Sequence, residues 1–593
     1  MTTGPSGAPG AAWAGGTPTG PLDFALGRYL GAAVEARLAG LDADRLPARL
    51  WARDPTLWSA DPARHPTILN RLGWLGAPEA MAARVPSFRA FAEGVAADGF
   101  THAVLLGMGG SSLAPEVMRI ALGVRPGALQ LTILDDTSPD AVGAALRAHD
   151  PARTLVLVSS KSGSTIEVVS FERRFDAWQR DARGEAAGRA FAAITDPGTR
   201  LEALAGERGY RIVFGGQPDI GGRYSAISPF GLVPAALLGA DLDGLIGGAR
   251  AELEPLRAAR PAREAPGVAL GAVLGELALR GRDKLTLVAD ARWAALGMWI
   301  EQLVAESTGK EGRGIVPVVE ESLVTLDRYG DDRLFVALGS FADAPETAGA
   351  LRALQAAGHP VVSWDPAAGL GAEFVRWEIA TVTAAAILGI DPFDEPNVAE
   401  AKQATQSVLE GYLVSGRFPD APPLAAADGL EAHAPRAVVE RCRLHAAVPV
   451  APAEWTTALL SLSRPGDCVS LLAWFHRTPA RHQRLQRLRD VLRESTGLAT
   501  TLGYGPRYLH STGQLHKGGP DIGLFLQLTA EPGEEQSIPD EPFGFGVLQR
   551  AQAEGDYAAL ERRGRRLLRL HLGTRVEAGL DTLIDAVAAG DRV

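Results

Sequence analysis

GMGGSSLAP at 107–115 and SSKSGST at 159–165 are the two stretches that determine the architecture of this chain. Each follows an apolar, β-branched run (HAVLL or TLVLV) and precedes a helical pattern. A strand that turns through glycines and hydroxylated residues into a helix directs backbone N–H groups and hydroxyls at one point, where the helix dipole favours an anion. Neither turn has the spacing of a P-loop or of a dinucleotide fingerprint. The pair therefore predicts a cradle for a phosphate monoester, such as a sugar phosphate.

The patterns around these turns predict an α/β protein. Strands alternate with helices over 99–253 and again over 268–420, which favours two tandem doubly wound domains with parallel sheets. We expect a flexible tail over 1–20, a helical N-terminal segment over 21–98 and a C-terminal α/β extension over 421–593. Ligands of such sheets bind beyond the carboxyl ends of the strands, where both turns lie.

Composition excludes several classes of function. Of 593 residues, 46% are hydrophobic and 22% charged, which is ordinary for a globular protein. The net charge of −11 argues against a nucleic-acid or anionic membrane surface. Cys442 and Cys468 have no metal-binding spacing, so we expect a reducing cytoplasm and no metal. No signal peptide or membrane-spanning run is recognisable.

Two further motifs carry residue types suited to proton transfer. In DIGGRYSAISPFGL, Arg223 borders an apolar run, and a buried arginine needs an anionic partner. In EQLVAESTGK, Gln302 and Glu306 lie four apart and share a helix face. Glu306 stands near the helix end, where the dipole raises the pKa of a carboxyl toward that of a general base. A solvated glutamate is the common alternative at such a position.

Two later motifs add a lysine and two histidines. Lys402 lies in a helix that starts near Pro396 in DPFDEPNVAEAKQAT. His510 and His516 flank a glycine-containing turn in YLHSTGQLHKGGPD and are candidate proton shuttles. A solvent-facing lysine and incidental histidines are the alternatives here.

These motifs, in this order, resemble phosphoglucose isomerase, a family of the sugar-isomerase fold that interconverts glucose 6-phosphate and fructose 6-phosphate. DIGGRYSAISPFGL looks like the first family signature, ESTGK like the glutamate motif, and FDEPNVAEAK like a degenerate second signature. The resemblance covers about 100–410. The C-terminal part is most similar to the isomerase half of bifunctional transaldolase/phosphoglucose isomerases, so we expect any transaldolase to be a separate protein.

The resemblance implies roles for particular residues. It assigns binding of the phosphate and the sugar to these positions: Gly110, Ser111, Ser160, Lys161, Ser162, Thr165 and Gln302. Glu306 would move a proton between C2 and C1, and Arg223 would stabilise the enediolate. Lys402 and a histidine, His516 in preference to His510, would open the ring. Such proton transfer needs no cofactor.

The resemblance also sets expectations for partners and marks departures. It implies a cytoplasmic enzyme of glycolysis and gluconeogenesis that binds hexose 6-phosphate. It further implies a homodimer, because the family borrows its histidine from a second subunit. The second signature has Glu395 in place of glutamine and Ala399 in place of glutamate, and no histidine follows Glu306 before His359. The alternatives are an isomerase that also accepts mannose 6-phosphate and a non-catalytic sugar-phosphate sensor.

Overall fold

A computed structural model describes residues 22–418, 421–445 and 449–590, so the expected tail over 1–20 lies outside the described residues. The side chain of Ala399 in the degenerate signature is likewise not described.

The strands follow the chain in this order: β1 (Asp23–Ala25), β2 (His102–Leu106), β3 (Gln130–Leu134), β4 (Thr154–Ser159), β5 (Phe191–Thr195), β6 (Val213–Gly215), β7 (Lys284–Ala289), β8 (Val316–Val318), β9 (Arg333–Leu338), β10 (Val361–Trp364), β11 (Ala425–Ala427), β12 (Leu430–His433), β13 (Cys468–Trp474), β14 (Ala499–Tyr504), β15 (Gly523–Thr529) and β16 (Arg566–His571).

The α-helices are α1 (Gly27–Ala43), α2 (Leu46–Trp51), α3 (His65–Leu69), α4 (Ala77–Ala82), α5 (Val85–Ala97), α6 (Leu113–Leu122), α7 (Pro139–Ala148), α8 (Ile166–Arg183), α9 (Arg200–Glu207), α10 (Pro229–Leu237), α11 (Leu242–Arg257), α12 (Pro266–Leu279), α13 (Leu296–Thr308), α14 (Pro345–Ala356), α15 (Leu370–Leu388), α16 (Pro396–Ser415), α17 (Arg436–His445), α18 (Glu454–Leu460), α19 (Pro479–Thr496), α20 (Gly513–Gly518), α21 (Phe545–Arg562) and α22 (Val576–Ala589).

The first sheet is parallel throughout, with the strand order β3-β2-β4-β5-β6. Leu106 of β2 stands opposite Leu134 on one side and Val158 on the other. The chain therefore leaves β2 toward one edge and β4 toward the other, which makes the ends of these two strands the switch point of the sheet. Both glycine- and serine-containing turns start there, so the sheet brings them side by side.

The second sheet has the order β1-β10-β9-β7-β8 and is parallel except for β1. Phe24 of β1 pairs with Val362 of β10 in antiparallel register, so the largely helical N-terminal segment opens with a strand. The first two sheets share one continuous hydrophobic core. They are therefore packed as one body rather than as two separated lobes.

Helix packing between the two sheets depends on small residues. Gly267, Gly271 and Gly275 recur every four residues on α12, and a Cβ added at each would lie 2.7, 2.5 and 2.8 Å from α15 atoms. In the interval 254–267, which separates the two predicted domains, α11 continues through Pro255 to Arg257 and α12 begins at Pro266.

The third sheet has the order β11-β12-β16-β15-β13-β14 and a hydrophobic core of its own. Its parallel strands, β14-β13-β15-β16, repeat the second-first-third-fourth order of the first sheet, while β11 and β12 are antiparallel additions at the edge. We call residues 425–589 the third unit. Its doubly wound pattern agrees with the α/β extension expected at the C-terminus.

Polar contacts fasten the third unit to the second sheet. Arg489 donates to the carbonyl of Val319 over 3.0 Å, and Glu321 accepts from the backbone N–H of Thr500 over 3.1 Å. Glu321 also pairs with the fully buried Arg333 over 2.8 Å. Separating the third unit would break the hydrogen bonds of Arg489 and Thr500, and a hydrogen bond to a charged group contributes about 1.5–3 kcal/mol.

Candidate active site

The hydroxyl-rich turn at 160–165 connects β4 to α8. The Ser160 hydroxyl donates to Thr165 Oγ1 over 3.3 Å and accepts from the N–H of Gly163 over 3.2 Å, while Ser162 is exposed at the tip. Thr165 immediately precedes the 18 residues of α8. The turn thus places four hydroxyls, those of Ser160, Ser162, Ser164 and Thr165, at the positive end of a long helix, an arrangement suited to a phosphate monoester.

Lys161, expected to bind phosphate, has its ammonium directed elsewhere. Its Nζ lies 2.5 Å from Asp196 Oδ2 and donates to the carbonyl of Gln217 over 3.1 Å. Burial lowers the pKa of Lys161, and the hydrogen bond that Lys161 donates to Asp196 only partly offsets this. The charge of Lys161 is therefore paired within the protein, which leaves the hydroxyls and the N-terminus of α8 as the groups suited to an anion at this turn.

The first turn is a 3₁₀ segment, Gly109–Ser111, that touches a second 3₁₀ segment, Gly222–Tyr224. A Cβ on Gly110 would lie 2.0 Å from the carbonyl oxygen of Gly222. Gly109 has a φ of +53°, and a Cβ there would lie 2.9 Å from the carbonyl oxygen of His510. Only glycines permit this approach. The first turn therefore sets the position of the backbone that carries Arg223.

Arg223, Gln302 and Glu306, which separate motifs contribute, meet in the structure. The Arg223 side chain is 3% exposed, and its NH1 lies 2.9 Å from Glu306 Oε1. Gln302, one turn earlier on α13, donates from Nε2 to Glu306 Oε2 over 3.1 Å. Both oxygens of the Glu306 carboxylate are thus held in a fixed orientation.

Every N–H group of the Arg223 guanidinium has an acceptor. A guanidinium carries five such groups. The acceptors are Ser307 Oγ at 2.9 Å from Nε, Glu306 Oε1 at 2.9 Å and Glu395 Oε2 at 3.1 Å from NH1, and the carbonyls of Pro392 at 2.6 Å and Asp394 at 3.2 Å from NH2. Glu395 is therefore a second carboxylate on the arginine that holds Glu306.

The electrostatics favour a proton-accepting role for Glu306. Burial raises the pKa of Glu306, Arg223 opposes this shift and the charge of Glu395 adds to it, so that the pKa lies above its ordinary value. The sequence attributed the shift to the helix dipole, whereas burial and a neighbouring carboxylate are the causes in the structure. A carboxyl with a raised pKa is a better match for proton transfer near neutral pH.

The third unit contributes His510 to this cluster. Its ring Nε2 lies 2.9 Å from Glu167 Oε1, in the first turn of α8, and its carbonyl accepts from Gln302 Nε2 over 2.7 Å. Gln552 also donates to Glu167 over 2.8 Å. A path of polar contacts therefore runs from Arg223 through Glu306, Gln302 and His510 to α8, the helix that follows the turn at 160–165.

The remaining candidates lie at different distances from this path. Lys402 is exposed on α16, yet its charge contributes to lowering the pKa of Glu167. Ser111 is buried in the first turn. His516 is buried in α20, with its ring centroid 5.8 Å from that of Tyr508 and 5.1 Å from that of Phe525.

Of the two histidines, the structure brings His510 to the cluster and not His516. The reason is local geometry: the 3₁₀ turn 507–510 faces α13, whereas α20 directs the ring of His516 back against β15. Burial lowers the pKa of His516 well below its ordinary value. His516 is thus a neutral core histidine beside the path of contacts.

Sequence reasoning missed Glu167 and the residues that seat the third unit. Gln514 donates to the carbonyl of Gly309 over 3.0 Å and to Asn397 Oδ1 over 2.8 Å. These hydrogen bonds connect α20 to the ESTGK and FDEPNVAEAK motifs. Glu167 had one signal, as the first acidic residue of the helix after the phosphate turn. No local pattern pointed to Gln514, because its partners Gly309 and Asn397 lie 205 and 117 positions earlier in the chain.

A family model of phosphoglucose isomerase matches residues 82–319, the segment that holds the 160–165 turn, Arg223 and Glu306. Over this segment, which is less than half of the chain, the protein is similar to the phosphoglucose isomerase family. The matched segment ends before the third unit begins, so His510 lies outside it.

Two curated relatives of this family align with the chain. A glucose-6-phosphate isomerase of Rubrobacter xylanophilus is 28% identical over 424 residues, covering 63% of this chain and 94% of that protein. A glucose-6-phosphate isomerase of Thermus thermophilus is 34% identical over 240 residues, covering 39% of this chain and only 55% of that protein. In both, a large part of this chain lies outside the alignment.

A crystal structure of a hypothetical protein from Thermus thermophilus shares the fold, with a TM-score of 0.56 and 26% identity. The alignment covers 65% of this chain and 99% of that one, so roughly a third of this chain has no counterpart there. Within residues 22–418, 421–445 and 449–590, no group of three or more histidine, cysteine or acidic residues is arranged to hold a metal. No helix in those ranges is long and apolar enough to cross a membrane.

Proposed function

We propose that the protein interconverts glucose 6-phosphate and fructose 6-phosphate by proton transfer through a cis-enediolate. The observation that carries the proposal is the Glu306–Arg223 contact of 2.9 Å, joined through Gln302 and His510 to the helix behind the phosphate turn. The names and alignments of the two relatives support the choice of substrate.

In this proposal, phosphate binds at the hydroxyls of Ser160, Ser162 and Thr165 and at the N-terminus of α8. Glu306 removes the proton from C2 of the open-chain aldose and returns it to C1. A positioned carboxylate contributes about 10²–10⁴-fold to such a step. Arg223 stays charged throughout and stabilises the oxygen on which negative charge develops.

We assign ring opening to His510, with Lys402 nearby. The sequence preferred His516, but its neutral ring packs against Phe525, whereas His510 pairs with the Glu167 carboxylate at 2.9 Å. A histidine held by a carboxylate can exchange a proton with a sugar hydroxyl and ring oxygen near neutral pH.

We also propose that each chain completes its own site. The resemblance implied a histidine borrowed from a second subunit, but His510 reaches Gln302 and Glu167 within the same chain. A homodimer would then be unnecessary for catalysis. Two free, buried cysteines support a reducing compartment, and we place the enzyme in the cytoplasm.

Proton NMR in D₂O, with purified protein, fructose 6-phosphate and no added metal, tests the proposed reaction. We expect glucose 6-phosphate to form with deuterium at C2. Appearance of mannose 6-phosphate as well would broaden the substrate range. Binding without conversion or exchange would refute the isomerase and favour a sugar-phosphate sensor.

A further inference from the structure

Glu395 contacts Arg223 beside Glu306, but the proposed reaction gives it no role. Its Oε2 lies 3.1 Å from Arg223 NH1, so Glu395 and Glu306 each accept from one of the two N–H groups of the same nitrogen. A second carboxylate beside the base is repulsive, and that cost needs a compensating purpose.

The five N–H groups of Arg223 limit what else the arginine can bind. All five are engaged, so Arg223 can bind a substrate oxygen only if one acceptor leaves. The carbonyls of Pro392 and Asp394 are backbone groups, and Ser307 is buried on α13. These three are fixed by the fold.

The two carboxylates differ in their freedom to move. The Glu306 side chain is 11% exposed and its second oxygen is held by Gln302, whereas the Glu395 side chain is 42% exposed. Glu395 is also a long side chain whose rotamers are accessible at such exposure. Of the five acceptors, it is therefore the one that can leave without disturbing the backbone or the base.

We propose that Glu395 is a displaceable ligand of Arg223, which occupies the arginine in the free enzyme and yields its N–H group to the enediolate oxygen. This inference rests on the proposed function. Glu395 acts through Arg223 and Glu306, so it is a positioning residue. Its departure would do two things at once: free a donor for the substrate and remove a negative charge from the neighbourhood of the base.

Other charges around the pair remain in place during this exchange. Asp391 and Asp394 lie on the same loop as Glu395, and Arg64 pairs with both. Lys310 donates from Nζ to Asp394 Oδ1 over 2.7 Å. From the third unit, the His510 carbonyl contacts Gln302. Because these groups pair among themselves, removing the Glu395 charge leaves their network intact.

The test compares Glu395→Gln with wild type in two measurements. The first is the pH profile of kcat/KM, which reports ionisations of the free enzyme. Removing the neighbouring charge lowers the pKa of Glu306, so the acid limb moves to lower pH, by about one unit for one nearby charge. The second is calorimetric affinity for arabinonate 5-phosphate, whose carboxylate mimics the enediolate. We expect it to bind about tenfold more tightly.

Glu400→Gln is the matched control, because Glu400 precedes Lys402 on α16 and pairs with Arg563 at 2.6 Å, outside the cluster. It should reproduce wild type in both measurements. Glu395→Ala, which removes the acceptor entirely, should tighten the analogue at least as much as Glu395→Gln. An unmoved acid limb, or an analogue affinity equal to or weaker than that of wild type, would overturn the proposal. If wild type shows no turnover, the proposed function fails, and the analogue affinities still decide the role of Glu395.

Discussion

Replacing Gly110 with alanine should slow the proposed reaction because it displaces Arg223. The added Cβ would lie 2.0 Å from the carbonyl oxygen of Gly222, where a carbon and an oxygen need roughly 3.4 Å. The oxygen is a backbone atom and the Cβ is attached directly to the backbone of residue 110, so neither can rotate away and the two turns must separate by about 1 Å or more. Arg223 follows Gly222 directly and moves with it. A misplacement of about 1 Å at a reacting group costs about 10²-fold in rate.

The assay is kcat/KM for fructose 6-phosphate, with thermal unfolding as a check on integrity. We expect Gly110→Ala to lose about 10²-fold in kcat/KM and about 1–3 kcal/mol of stability, the usual cost of overpacking. Gly94→Ala is the control, since a Cβ on Gly94, in α5, meets no atom within 4 Å. A folded Gly110→Ala variant with kcat/KM within twofold of wild type would show that the contact of the two turns does not position Arg223.

Three further variants probe the rest of the site. Glu306→Gln should abolish turnover but retain hexose 6-phosphate affinity, and loss of both together would indicate a structural role. His510→Ala should slow reactions of the cyclic sugar while His516→Ala retains activity. A mixture of Glu306→Gln and His510→Ala chains should convert the cyclic sugar no faster than His510→Ala alone; a faster rate would show a site shared between chains. Burial would raise the pKa of Glu167, but His510 and Lys402 lower it below the ordinary value of 4.5. The ionised carboxylate therefore stabilises the folded state at pH values above 4.5, and this contribution is lost as the pH falls through the lowered pKa. Glu167→Gln should therefore reduce the melting temperature more at pH 7 than below pH 4, and an equal loss at both would contradict the ion pair.

The parts of the site that could be predicted are those in which local sequence determines position. The turn at 160–165 follows an apolar strand and precedes a helix, and a parallel sheet places such turns at one edge. Gln302 and Glu306 are four residues apart on one helix, so their proximity follows from helical geometry. Arg223 beside an apolar run had to find an anion, and the structure supplies Glu306 at 2.9 Å.

The parts that could not be predicted depend on contacts between remote segments. His510 and Glu167 are separated by 343 positions, and no periodic pattern reports such a pair. The choice between His510 and His516 depended on where α20 begins, which is Gly513, and therefore on which way each ring faces. The ion pair of Lys161 could not be predicted because its partner Asp196 lies 35 positions later, directly after β5.

The third unit has a consequence for biosynthesis. Its His510 meets Gln302 and Glu167 only after the last parallel sheet has been made and docked, because those partners lie 208 and 343 positions earlier in the chain. A ribosome-bound chain that has already folded its first two sheets would hold Arg223 and Glu306 in place and still lack His510, the residue proposed to open the sugar ring. Contacts of such long sequence separation form late in folding. If His510 opens the sugar ring as proposed, conversion of the cyclic substrate requires the third unit to be made and docked first.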